Sequence, residues 1–473
     1  MKNSESICIP RRVGFSASHS WLDERASRRT AQVSMALAVV VALHAGAASA
    51  AVCISPWQSR TGTSLDDEIH TAVRDADGNV YLGGFDNGRL HVENDWPVGN
   101  VSGFVEKRSR DGALLWRQEL DTNGIDIVEA IALDPERNRI VVAGRTSGAF
   151  AGTNAGQFDL FVAALSDDAP GIRAIAQFGD QYPQHPTSIA VLPSGNLAIA
   201  GYDDTFVEGT AVLGQATQFV AAFTQPVEDP TTFTELWWQQ PNEPGLQTPS
   251  SAAFAIVAAG DASDDVVVAT HSSARTIGAR LQRLDRSGSA VWDTSISPLS
   301  ADIAFAVATS AAGRLYVAGS TLLPLAGPAL GNSDGFLMEV DPASGEVRWG
   351  RQFGSAGADW VASLAVDDRG GLIVGGLTGG AVVSGSEPAL NSIYALAFSD
   401  QGELLSGWQS ATPSPADFTD SLSIVPSCHG AALIAGHVDG DLPESLSLGR
   451  NDAVVIPAQL AAFSDTVFAT GFE

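Results

Sequence analysis

Two stretches of this 473-residue chain gather side chains able to hold a ligand. FDNGRLHVENDWPVGNVSG at 85–103 carries Asp86, His91, Glu93, Asp95 and Trp96, and HVDGDLPES at 437–445 carries His437, Asp439, Asp441 and Glu444. Imidazoles among carboxylates suit a divalent cation, and the same groups beside an indole suit a polar organic substrate. An acidic loop in an acidic protein is equally accounted for by solubility, so both readings stand. No metal is specified and no other cofactor is expected. There is no nucleophile-elbow serine, no phosphate-cradling glycine loop and no zinc-spaced histidine pair, so no catalytic residue is assigned. His70, His185, His271 and His429 read as scattered along the chain.

These loops must be positioned by something, and the rest of the chain is one phrase repeated. A short apolar run closes on Ala-Gly or Gly-Gly at Gly84, Gly144, Gly201, Gly319, Gly376 and Gly436, with Thr270 ending the corresponding run in the fourth unit. The separations of 60, 57, 69, 49, 57 and 60 residues exceed any single element, so the chain is an array of one supersecondary unit. Apolar residues are 45% and charged residues 17%, which fits all-β packing. In the fifth unit four strands are legible: IAFAVATS at 303–310, LYVAG, GFLMEV at 335–340 and VRWGRQF at 347–353. Four strands per period predict a propeller blade. The first two strands meet at Asp77-Gly78-Asn79, Ser194-Gly195-Asn196 and Arg369-Gly370-Gly371, the composition of tight hairpins. Asp75 and Asp77 therefore read as turn residues rather than calcium ligands. An aromatic on each fourth strand, Trp116, Phe178, Trp237 or Trp238, Trp292, Trp349 and Trp408, is expected to pack between blades.

The blades are expected near 67–120, 125–180, 182–240, 251–296, 300–354, 358–410 and 416–460. The seventh lacks a fourth strand. Trp57-Gln58-Ser59-Arg60-Thr61-Gly62 resembles Trp349-Gly350-Arg351-Gln352-Phe353-Gly354, so residues 53–60 are expected to complete that blade and close the ring. Closure brings Cys53 to one face with Cys428, predicting a disulfide across the seam. It also makes blades seven and one neighbours, so the two acidic loops would face each other across a groove. The other loops between second and third strands repeat among themselves, as in AFAGTNAGQFD and PLAGPALGNSDG, and are expected to be scaffold.

The phrase DGFLMEVDPASGEVRWGRQFGSAGADWVASLAVDDRGGLIVGG, 334–376, resembles the SBBP-type β-propeller repeats of exported bacterial proteins, a likeness running from Asp66 to Leu460. It implies the fold and no activity. Asp341 to Trp349 also resembles the tryptophan-docking motif of quinoprotein dehydrogenases, which would imply pyrroloquinoline quinone with calcium. Ser109-Arg110-Asp111-Gly112 approaches the Asp box of sialidases, with its glycine one place early.

Residues 1–50 read as an export signal: Arg28 and Arg29, an apolar run from Met35 to Leu43 too short to span a bilayer, and Ala48-Ser49-Ala50 for cleavage. The general secretory and twin-arginine routes both remain open. Loss of that segment, with six Lys or Arg and three Asp or Glu, takes the net charge from −28 to −31 and leaves Lys107 as the one lysine. Nucleic acid and anionic membrane surfaces are thus excluded as partners. The mature chain is expected at 51–460, with a tail at 461–473 whose FATGFE ending resembles one found on some exported proteins. The expectation is a periplasmic, surface or extracellular monomer. It would serve as a binding or scaffold module for protein or glycan through its loop face. A quinone-dependent enzyme and a purely structural envelope protein are the alternatives.

Overall fold

The computed structural model describes residues 53–61, 66–87, 91–93, 96–98, 101–150, 152–204, 216–226, 230–240, 251–272, 278–297, 302–386, 392–410, 417–427, 431–439 and 451–462. The leader at 1–50, Cys428, His429 and the tail from 463 lie outside them. Six four-stranded antiparallel sheets and one, blade six, to whose outer edge Ala461–Ala462 adds a fifth strand, form a seven-bladed β-propeller. Among the described residues the one helical element is a 3-10 turn, Pro135–Arg137, and no helix is long and apolar enough to cross a membrane.

Blades one to six run outward in chain order. Blade one is Glu68–Arg74, Val80–Asp86, Ser102–Arg108 and Leu114–Leu120. The other inner strands are Asp126–Asp134, Gln184–Val191, Ser251–Ala258, Ile303–Thr309, Asp359–Val366 and Asp417–Pro426, and each touches the next until the last touches the first. The turn between first and second strands follows the composition: Asp75 Oδ1 accepts the backbone N–H of Asp77 at 2.9 Å and of Asn79 at 2.8 Å, while Gly78 takes φ 83°. The acid closes its own turn.

The recurring glycine has a steric cause. Each inner strand carries a bulge near its start, with His70, Glu129, Thr187, Phe254, Phe305 and Ala362 out of register in blades one to six and residues 419–421 in blade seven. The bulge swings a carbonyl toward the second strand. A Cβ at Gly84, Gly144, Gly201, Gly319 or Gly376 would lie 1.8, 2.2, 2.4, 2.0 or 1.8 Å from the carbonyl oxygen of Glu68, Ile127, His185, Ile303 or Trp360. These glycines also face an aromatic on the third strand, Phe104, Phe161, Phe219, Phe336 and Tyr394 in the same order. Blade four departs on both strands at once, with Thr270 opposite Arg280.

The blades are joined by tryptophans. Trp116, Trp237 and Trp292 donate their indole N–H to the carbonyls of Asp167, Arg286 and Pro342, at 3.0, 2.9 and 3.0 Å, in the outer turn of the following blade. Trp237, Trp292 and Trp349 lie against Gly288, Gly345 and Gly402 of those turns, where a side chain would collide with the ring. Register corrects part of the sequence reading: the positions equivalent to Trp116 in blades two and six are Ala174 and Ser406. Phe178 instead packs on Phe223 of the next blade, with ring centroids 4.6 Å apart, and Trp408 packs on the core between blades six and seven.

The N-terminal strand Ser59–Thr61 pairs with Asn451–Gln459 and completes blade seven. Trp57 lies against Gly112 in the outer turn of blade one, so the seam repeats the packing of Trp237, Trp292 and Trp349. Arg60 Nε donates to the buried Asp452 at 2.8 Å, in the place where Gln352 meets Asp334 in blade five at 2.7 Å.

Gly319→Ala is expected to cost roughly 1–3 kcal/mol, because its Cβ would drive against backbone that cannot yield cheaply. Gly171→Ala, where nothing lies within 4 Å, should be near neutral. Urea midpoints of the two variants check this, and equal midpoints would refute the steric account.

Candidate functional site

The repeated loops close on themselves. Asp159 accepts the N–H groups of Ala155 and Gly156 and the side chain of Gln177, and Asp334 repeats this with Leu330, Gly331 and Gln352. What does not repeat lies around the axis, where the inner strands begin and the second strands end. Two sets of positions meet there: the bulge residues, and the residues following the glycine of the second strand, namely Phe85, Arg145, Tyr202, His271, Ser320, Leu377 and His437.

On blades one to three and seven this region is polar and largely buried. His70 and Glu129, only 7% and 8% exposed, face each other across the first blade junction. His70 Nδ1 lies 2.6 Å from Glu129 Oε2, and its Nε2 lies 2.9 Å from Glu68 Oε2. Burial alone would lower the imidazole pKa, but Glu129 and Glu68 outweigh it and carry the pKa up to about 10. His70 is therefore a cation at neutral pH and donates from both ring nitrogens. Burial would raise Glu129, but the charges of His70 and Arg145 hold it below the ordinary carboxylate range.

Arg145 continues the chain, with Nε 2.9 Å from Glu129 Oε1 and Nη1 2.7 Å from His185 Nδ1. An arginine can only donate, so His185 accepts there. Burial and the adjacent guanidinium push its pKa down to about 3, leaving it neutral. Its ring stacks on Tyr202 at 4.8 Å and 8°. His437, 3% exposed, is lowered to about 4 by burial and by His70, against the opposing charge of Glu68. Asp203, beside Tyr202, is raised to about 7 by burial and by Asp180, against a hydrogen bond from Gln184.

Blades four to six supply the opposite character. Phe254, Phe305 and Trp360 form a row with centroids 5.4 and 6.3 Å apart. The axial region thus has an arc of paired charges and an arc of aromatic rings.

Ring closure does bring His437 to blade one, 3.6 Å from Glu68 and 6.5 Å from the His70 ring. Asp86 is held elsewhere, in an ion pair with Arg117, which also bonds Glu106 at 2.9 Å. His91, Glu93 and Trp96 lie on a two-stranded hairpin, His91–Glu93 with Trp96–Val98, and Asp439 ends a strand; their side chains are outside the described residues, as are Asp95, Asp441 and Glu444. Of the histidines read as scattered, His70 and His185 are central and His271 lies 6.4 Å from Phe254. A signal for them did exist: His271 and His437 directly follow the glycine position, and His70 sits at the bulge. Among the described residues no three His, Cys, Asp or Glu are grouped to hold a metal ion.

No protein-family model matches the chain and no curated protein matches it. Among solved structures, polysaccharide lyase Uly1 is 9% identical with a TM-score of 0.45, covering 90% of this chain and 98% of that one. A quinohemoprotein alcohol dehydrogenase from Comamonas testosteroni is 10% identical with a TM-score of 0.42, covering 85% and 76%. The α-L-arabinofuranosidase Arb93A from Fusarium graminearum is 12% identical with a TM-score of 0.41, covering 70% and 92%. At these values the likeness carries nothing about chemistry.

Stability should vary with pH on both sides of neutrality. The raised pKa of His70 contributes stability that is full below about 6.5 and lost as pH rises through about 10. His185 and His437, lowered to about 3 and 4, contribute above 6.5 and lose that contribution as pH falls toward those values. Melting temperatures across pH 4–10 should fall at both ends, and His70→Gln should flatten the alkaline limb. An unchanged alkaline limb in that variant would refute the cationic assignment.

Proposed function

We propose that this chain is an exported propeller of the SBBP type that acts as a binding module, taking its ligand at the axial end of the loop face. The observation that carries this reading is the exception to the repeat. Loops that recur satisfy their own polar groups, whereas the axial region buries a His–Glu–Arg network on one arc and aromatic rings on the other. Buried charge is costly to arrange and adds little net stability, so its concentration at one mouth favours recognition over scaffolding. The tryptophan motif shared with quinoprotein dehydrogenases serves blade packing here, since Trp349 lies against Gly402 and donates to Glu339 at 2.6 Å. That likeness therefore bears on the fold and not on a quinone.

The disulfide between Cys53 and Cys428 belongs to the same proposal, as the lock on the ring that holds the site. It is supported by the neighbouring residues: Ile54 N–H donates to Ser427 Oγ at 3.0 Å, and that hydroxyl donates back to the Ile54 carbonyl at 2.9 Å.

Glycan and peptide arrays probed with the mature protein test the binding reading. Hits are expected to weaken at least tenfold in Glu68→Gln and in Trp360→Ala, one from each arc. Hits indifferent to both would move the site away from the axis. The seam is tested by mass spectrometry of non-reduced protein, which should show a Cys53–Cys428 crosslinked peptide and a chain beginning at Ala51. Reduction should lower stability by at most about 5 kcal/mol, the loop-entropy ceiling for so long a loop. A free thiol on both cysteines would refute it.

A further inference from the structure

Trp360 is the one aromatic among the strongly exposed large apolar residues that the structure describes, at 42% exposure, and it stands on an inner strand two residues before the bulge. The position is not a frayed one. Its carbonyl accepts the Tyr394 hydroxyl at 3.0 Å and crowds Gly376, and Val361 N–H is held by Ser320 Oγ of blade five at 3.0 Å. Phe305, itself buried, meets the indole edge-on at 65°. A fixed indole thus presents apolar surface to water at the axis, backed by buried rings. This is the arrangement of a stacking platform rather than of a broad apolar interface, which needs many exposed residues.

The opposite arc limits what can stack there. His70 is neutralised by Glu68 and Glu129, and Arg145 by Glu129, so this network offers hydrogen-bonding groups with its charges already matched. A ligand of high charge would find no unbalanced counter-charge in it, and a polyanion would also meet the field of a protein with net charge −28. Resting on the binding role above, we propose that the axial site takes a neutral carbohydrate chain. One sugar ring would lie with its C–H face on Trp360 and its hydroxyls toward the polar arc.

Affinity electrophoresis in native gels tests this, with soluble neutral polysaccharides (a β-glucan, a xylan, a galactomannan) and anionic ones (alginate, polygalacturonate) cast into the gel. At least one neutral polymer should retard the protein and quench its tryptophan fluorescence. Trp360→Ala should weaken retardation at least tenfold with an unchanged melting temperature, and Trp360→Phe should restore part of it. Failure of every neutral polymer, retention of full affinity by Trp360→Ala, or retardation by the anionic polymers alone would overturn the proposal. Peptide hits on the arrays that fall in Glu68→Gln, with no neutral polymer bound, would sink the carbohydrate assignment and leave the binding role standing. Absence of any axis-dependent hit would sink both.

Discussion

Seven radial sheets become one body only where the last meets the first, and that meeting rests on a strand borrowed from the other end of the chain. Ser59, Arg60 and Thr61 pair with Val455, Val454 and Ala453, covering a ladder edge that would otherwise be open. The same junction carries the tryptophan contact of other junctions, Trp57 on Gly112, and a buried ion pair where blade five uses a neutral amide and carboxylate. An ion pair in a dry place adds little net stability, yet a register that separated Arg60 from Asp452 would strand a buried charge. The seam is thereby held to one pairing. Everything at the axis inherits that choice, because His437 reaches Glu68 only when blade seven abuts blade one.

The second constraint is the inner-strand bulge, which turns a uniform ring into one with addressable positions. A bulge re-aims one side chain and pushes one carbonyl aside, and the facing second strand accommodates the carbonyl by having no Cβ there. The same local geometry is repeated in blades one, two, three, five and six while the bulged residue is free to differ. His70, Glu129 and Thr187 on one side and Phe254, Phe305 and Ala362 on the other divide the axis into a polar arc and an apolar one. The residues that build the ring and those that line its axis are therefore different positions on the same strands, and the axial ones can vary without breaking the ring.

Most of the fold was legible because its determinants are local. Gly78, Gly195 and Gly370 mark hairpins through the positive φ they accept, and the apolar phrase that recurs from Gly84 to Gly436 counts the blades. The borrowed strand was legible because Trp57 to Gly62 carries the pattern of a fourth strand out of place. The aromatic assignment was less complete. Phe178 and Trp408 look equivalent to Trp349 by order along the chain, and only pairing register shows that Ala174 and Ser406 hold that position. Of the seam residues singled out in the sequence, closure places His437 3.6 Å from Glu68, whereas Asp86 is occupied by Arg117. The network through His70 and His185 was not legible because, Glu68 apart, their partners Glu129 and Arg145 lie 59 and 40 residues away in sequence.

The amino-acid sequence by itself determined the repeat, its count and the place of closure, since turn chemistry and the two-residue alternation of strands act over a few bonds. Which imidazole carries a charge was decided only by tertiary structure. His70, His185 and His437 are the same side chain in sequence, yet one is raised and two are lowered. Protonation of a buried ring depends on the dielectric around it and on whether a carboxylate or a guanidinium stands beside it. Apart from Glu68, two residues before His70, those neighbours come from other blades.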